Sequence, residues 1–60
     1  MHSLLNKIVI ADDDPIMLRI LTTHLKADGY EVFTASNGRQ ALDLVEQHLP
    51  SYFIMDWEMP

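Results

Sequence analysis

Short apolar runs and helix-spaced apolar stripes alternate along these 60 residues. The first run, Lys7 to Ala11 (KIVIA), is continuous and rich in β-branched residues. That pattern predicts a strand covered on both faces, as in a parallel sheet. It runs into three aspartates and Pro15. Proline suits the first position of a helix, and Asp14 stands where an N-cap belongs. Beyond it Met17, Ile20, Leu21 and Leu25 recur at helical spacing, with Arg19, Thr23 and Lys26 on the other side. Asp28 and Gly29 stop this helix, Gly29 being the better C-cap.

Glu31 to Ala35 (EVFTA) predicts a second strand, more polar and therefore at a sheet edge. Ser36, Asn37 and Gly38 form a turn that opens a second helix. Its expected buried stripe is Ala41, Leu42, Val45 and Leu49, and Pro50 closes it. Tyr52 to Met55 (YFIM) predicts a third strand, again continuously apolar, with Asp56 directly after it. The order is β-α-β-α-β. Parallel neighbours need a crossover and each helix supplies one, so a parallel α/β sheet is expected.

Size and charge narrow the picture. Sixty residues make at most one small domain, and such a chain buries only about 60% of the surface it exposes when unfolded. There is no cysteine, so no disulfide supports it, which fits a reducing compartment. The formal net charge of −5 disfavours nucleic acid as a direct ligand and favours a cation or a basic partner. The apolar runs Ile8 to Ala11 and Tyr52 to Met55 are too short to span a bilayer. Met1 to Lys7 does not read as a signal peptide. A soluble cytoplasmic protein is expected.

The chemistry collects at strand ends. In an open parallel sheet ligands bind beyond the carboxyl ends of the strands, where neighbouring crossovers part to opposite faces. Asp12 and Asp13 follow the first strand and Asp56 follows the third. With strand order 2-1-3 those ends lie about 5 Å apart, and three carboxylates share one pocket. Their mutual repulsion is relieved by a divalent cation. An all-oxygen donor set favours Mg²⁺, with Mn²⁺ as its substitute. Zinc is disfavoured by the lack of cysteine. Asp14 is accounted for as a helix cap, and Asp56 alone would be an ordinary turn residue. His2, His24 and His48 are isolated, which places them on the surface or on helix flanks. Met17, Met55 and Met59 read as core or loop packing. Trp57 either leans over the acidic pocket or packs elsewhere.

Three segments carry a resemblance. They are the strand running into Asp12, Asp13, Asp14 and Pro15, then "SNGRQAL" opening the second helix, then "FIMDWEMP". Together they resemble the first half of the receiver domain of two-component response regulators, and Asp56 to Pro60 (D-x-x-M-P) is similar to that family's phosphorylation-site loop. The chemotaxis receiver of the family has the same strand order. The resemblance covers essentially the whole chain, residues 1–60, as one partial receiver domain. It implies a truncated flavodoxin-like, doubly wound sheet without the last two strands and three helices. It also implies that Asp56 accepts a phosphoryl group from a histidine kinase or phosphotransfer protein. Asp12 and Asp13 then match the acidic pair that holds Mg²⁺, with Asp56 and the main-chain carbonyl of Glu58 as further ligands. Such a module is a signalling switch and not an enzyme. A complete receiver adds a hydroxyl residue and a lysine that touch the phosphoryl group. Lys7 and Lys26 match neither position, so transfer and switching are expected to be impaired.

Two other readings stay open. Asp12-x-Asp14 after the first strand fits the spacing of Mg²⁺-dependent phosphohydrolases. Alternatively, the chain is a self-assembling fragment without phosphotransfer. An apolar third strand with an unpaired edge invites another chain, and a homodimer through that strand or by exchange of elements is expected.

Overall fold

The computed structural model describes residues 6–55. Strand β1 (Lys7–Ala11), helix α1 (Pro15–Ala27), strand β2 (Glu31–Ala35), helix α2 (Gly38–His48) and strand β3 (Tyr52–Met55) follow in that order. Their starting points are those the hydrophobic pattern predicts. The strands form one parallel sheet in the order β2-β1-β3. Ala11 stands opposite Ala35 on one side and Met55 on the other, so all three strands finish level. Among the described residues no helix is long and apolar enough to cross a membrane.

The core follows from β1 being central. Val9, Ala11, Ala35 and Ala41 form one buried cluster, with Phe33, Leu44 and Val45 packed against it. These residues bring β1, β2 and α2 together on one face. Ile8 and Ile10 alternate to the other face and are also buried. Right-handed crossovers put α1 on that second face, because the chain leaves β1 in one direction for β2 and returns past it for β3. Burying each of these isoleucines contributes about 1.5–3 kcal/mol.

The helix stripes depart from the expected ones. In α2 the inward residues are Ala41, Leu44 and Val45, whereas Leu42 is 58% and Leu49 81% exposed. The physical reason is Ala41. Its small side chain lets the helix lie close to the sheet, and the positions three and four residues on then face inward. Leu49 has left the helix altogether, with φ at 48°, and its N–H donates to the Val45 carbonyl at 2.9 Å. Pro50 disfavours the helical conformation for the residue before it. In α1 no residue is fully buried. Leu18, Leu21 and Leu25 are half-buried, while Met17 and Ile20 face solvent. Met17 is therefore not the core residue it was expected to be. Strand β3 was expected to be covered on both faces, yet Tyr52, Phe53, Ile54 and Met55 are all exposed. Both helices pack on the β1–β2 side of the sheet.

Helix ends match their cap chemistry. After α1, Gly29 N–H donates to the Lys26 carbonyl and Tyr30 N–H to the Leu25 carbonyl, each at 3.0 Å. This pair of bonds is a Schellman motif, with Asp28 as the cap and Gly29 just beyond it. Gly29 takes a φ of 97°, which a side chain disfavours. At the start of α2, Asn37 Oδ1 accepts from the Gln40 N–H at 2.9 Å, and Gln40 Oε1 accepts from the Ser36 N–H at 2.8 Å. The reciprocity is that of a capping box shifted by one residue.

Two stability outcomes follow. In urea unfolding, Ile10→Val should lower stability by about 1 kcal/mol and Ile10→Ala by about 2–5 kcal/mol. The larger loss should leave little folded chain, given roughly 0.05–0.15 kcal/mol per residue in total. Gly29→Ala should cost about 1–2 kcal/mol although nothing lies within 4 Å of its added Cβ. Gly29→Asn should recover part of that loss.

Candidate functional site

Three consecutive aspartates leave β1, and each is placed differently. The Asp12 N–H still donates to the Ala35 carbonyl at 3.1 Å, which ties its backbone to the sheet. Its side chain is buried, with 8% of the residue exposed, and Oδ1 accepts from the Asp14 N–H at 2.9 Å. Asp13 is exposed. Asp14 turns its own Oδ1 back onto the Ile16 N–H at 2.9 Å and caps α1, with Pro15 at the first helical position. The Asp14 carboxylate is therefore engaged as the sequence predicts, which weakens the Asp12-x-Asp14 hydrolase reading.

Asp12 is the one buried charged residue among those described. A carboxylate offers about four acceptor sites, and one protein hydrogen bond uses one of them. Buried polar groups ordinarily find further partners. Oxygen capacity left over at a strand end, next to the exposed Asp13 carboxylate, suits a hard cation.

The sheet places this pair at a crevice. The crossovers from β1 to β2 and from β2 to β3 cover opposite faces, so β1 and β3 part at their carboxyl ends. Met55 ends β3 level with Ala11. Its Cε lies 3.6 Å from where a Cβ on Gly38 would stand, so Met55 reaches the first residue of α2. It was expected in the core and is instead 41% exposed beside this crevice. The remaining expected site residues, Asp56 and Glu58, lie outside the described residues, as do Trp57, Met59 and His2. Among the described residues no three His, Asp or Glu side chains gather into a metal-holding group.

The other candidates are elsewhere. Lys7 opens β1, roughly 16 Å along the strand from Asp12, and Lys26 is in the last turn of α1. His24 is exposed on α1. His48 ends α2 half-buried and stacked on Phe33, with centroids 3.8 Å apart and planes at 15°. That stack escapes sequence reasoning because the partners come from different elements. A cleft of about 290 Å³ lined by Asn6, Asp28, Gly29 and Tyr30 opens at the amino ends of the strands, away from the acids.

Comparison with known proteins agrees with this layout. Residues 8–60 match the family described as "Response regulator receiver domain". The "Probable transcriptional regulator ycf27" of Porphyra purpurea is 46% identical over 54 residues, covering 90% of this chain and 22% of that protein. Its namesake in Galdieria sulphuraria is 48% identical over 54 residues, covering 90% and 21%. The "Polar-differentiation response regulator DivK" of Brucella anthropi is 32% identical over 53 residues, covering 88% of this chain and 43% of that protein. The chain thus spans about a fifth of the ycf27 proteins' length. A parallel 2-1-3 sheet with paired acids after its first strand, matched to the family over nearly every residue, belongs to the receiver domains of two-component response regulators.

Proposed function

We propose that residues 1–60 are part of a receiver domain in which Asp56 accepts a phosphoryl group from a phosphohistidine. The donor is a sensor histidine kinase or a phosphotransfer protein. Asp12 and Asp13 hold Mg²⁺, or Mn²⁺ in its place, together with Asp56 and the main-chain carbonyl of Glu58. The chain is in this reading a cytoplasmic signalling module and not an enzyme.

One observation carries the proposal. Ala11 and Met55 are register partners in adjacent parallel strands, and the residues that follow them in sequence are Asp12 and Asp56. The buried, half-satisfied Asp12 carboxylate supports a cation at that strand end.

The chemistry is a phosphoryl transfer. A carboxylate oxygen of Asp56 attacks phosphorus, the P–N bond to the donor histidine breaks in line, and an acyl phosphate forms while the imidazole leaves. Two anions approach each other in this step, which is slow unless charge is neutralised. A bound divalent cation supplies that neutralisation. Asp12, anchored through its backbone to β2 and through Oδ1 to Asp14, holds one ligand oxygen in a fixed place. Asp13, exposed beside it, supplies the second.

The four exposed side chains of β3 favour a second reading. In it the chain assembles, as a homodimer through the third strand or by exchange of elements, without phosphotransfer.

Incubation with Mg²⁺ and beryllofluoride or a small phosphodonor, followed by mass spectrometry and NMR, separates these readings. The expected adduct is at Asp56 and is lost in Asp56→Asn. An adduct at Asp12 would mean a hydrolase, and no adduct from a stable oligomer would mean an inert assembly. For the metal, Asp13→Asn should weaken Mg²⁺ binding by about tenfold or more. Asp14→Asn, which keeps the cap oxygen, should leave it within about twofold. Equal losses in the two variants would remove Asp13 from the ligand set.

A further inference from the structure

We infer that two copies of this chain join through the outer edge of β3, antiparallel, about a two-fold axis that passes beside Phe53. The inference is independent of phosphorylation at Asp56. It rests on which backbone groups the sheet leaves free and on what surrounds them.

β1 bonds to β2 through its even-numbered residues. Asn6 C=O accepts from the Glu31 N–H at 2.9 Å, and Asp12 N–H donates to the Ala35 C=O. Alternate residues of a strand turn their N–H and C=O to opposite sides, so Lys7, Val9 and Ala11 turn theirs toward β3. The Lys7 C=O indeed accepts from the Ser51 N–H at 2.9 Å. In a parallel ladder a residue bonds to the two that flank its partner. Val9, paired with Phe53, therefore takes Tyr52 and Ile54. Phe53 and Met55 are left with N–H and C=O groups on the outer edge.

That edge is apolar on both sides of the sheet. Phe53 and Met55 share the α2 face, since they pair with Val9 and Ala11 of its cluster. Tyr52 and Ile54 share the α1 face, where Met17 and Ile20 are also exposed. No charge interrupts Tyr52–Met55, although the chain carries a net −5. The opposite edge is different: β2 carries exposed Glu31 and Thr34 and would set like charges against each other. A charge-free, proline-free edge lacks the devices that keep strands apart.

A second copy fits it by symmetry. Paired residues in an antiparallel ladder share a face, so an axis beside Phe53 sets Phe53 against Phe53, Tyr52 against Ile54, and Ser51 against Met55. Phe53 points its backbone groups outward, which makes the central pair the hydrogen-bonded kind. An axis beside Ile54 would instead set Tyr52 against Asp56. The exposed parts of the four β3 side chains with Met17 and Ile20 amount to about 500 Å² per copy, given that aromatic side chains bury roughly 150–250 Å² each. About 1,000 Å² in total is the lower bound of a specific interface. A dimer that dissociates at micromolar concentration is expected.

Sedimentation of the 60-residue chain from micromolar to millimolar concentration should show a monomer giving way to a dimer. Phe53→Cys should form a disulfide-linked dimer under mild oxidation. The paired Cα atoms would be about 5.5 Å apart, inside the roughly 4.4–6.8 Å a disulfide spans, and the chain has no other cysteine. Thr34→Cys, on the opposite edge, should not cross-link. Phe53→Lys should remain monomeric with its circular dichroism retained. A monomer at every concentration overturns the inference. So does a dimer that fails to cross-link at Phe53→Cys, the result an exchange of elements would give, or one that cross-links equally at Thr34→Cys. Beryllofluoride adducts scored on the same samples read the Asp56 reading separately, so each can fail alone.

Discussion

β1 has a parallel neighbour on each side, and the rest of the molecule depends on that double pairing. It makes Val9 and Ile10 the largest fully buried side chains. It brings three strands to a common end at Ala11, Ala35 and Met55. It also forces the two crossovers to opposite faces, because a right-handed connection from the centre to one edge and back to the other must change sides. The crevice beyond β1 and β3 follows from topology before any side chain is considered.

What stands in that crevice is set by local hydrogen bonding. Two of the three aspartates share the work of starting α1. Asp14 caps the Ile16 N–H, and its own N–H is taken by Asp12. The second bond is what orients Asp12, fixing one oxygen and leaving the rest of the carboxylate in a buried place with no other protein partner among the described residues. Asp13, between them, is left to solvent. A helix start and a candidate cation site are thus built from the same four residues, and a change made for one alters the other.

The sheet is finished on one side and open on the other. α2 closes over β1 and β2 through Ala41, Leu44 and Val45, and Phe33 gains a stacked His48. β3 receives no comparable cover, and each of its side chains is at least 41% exposed. Tyr52 finds one edge-on contact with Tyr30 at 5.8 Å. Apolar surface of this kind is stabilised by whatever excludes water from it.

The element boundaries, the parallel order and the acidic cluster were legible from residues 7–55 alone, because each rests on local chemistry. β-branched runs make strands, Asp-Pro starts a helix, and glycine after Asp28 ends it. The family resemblance was legible for the same reason, since its motifs sit on contiguous residues. The inward face of α2 was not. Leu42 and Leu49 are as apolar as Leu44, and only contact with the sheet through Ala41 chose between them. Nor could the pattern show that Asp12 would be buried while Asp13 was not, or that Tyr52–Met55 would stand exposed. Local sequence decides what a segment becomes; which of its faces loses water is decided by neighbours brought from elsewhere in the chain, and that is a property of the assembled sheet.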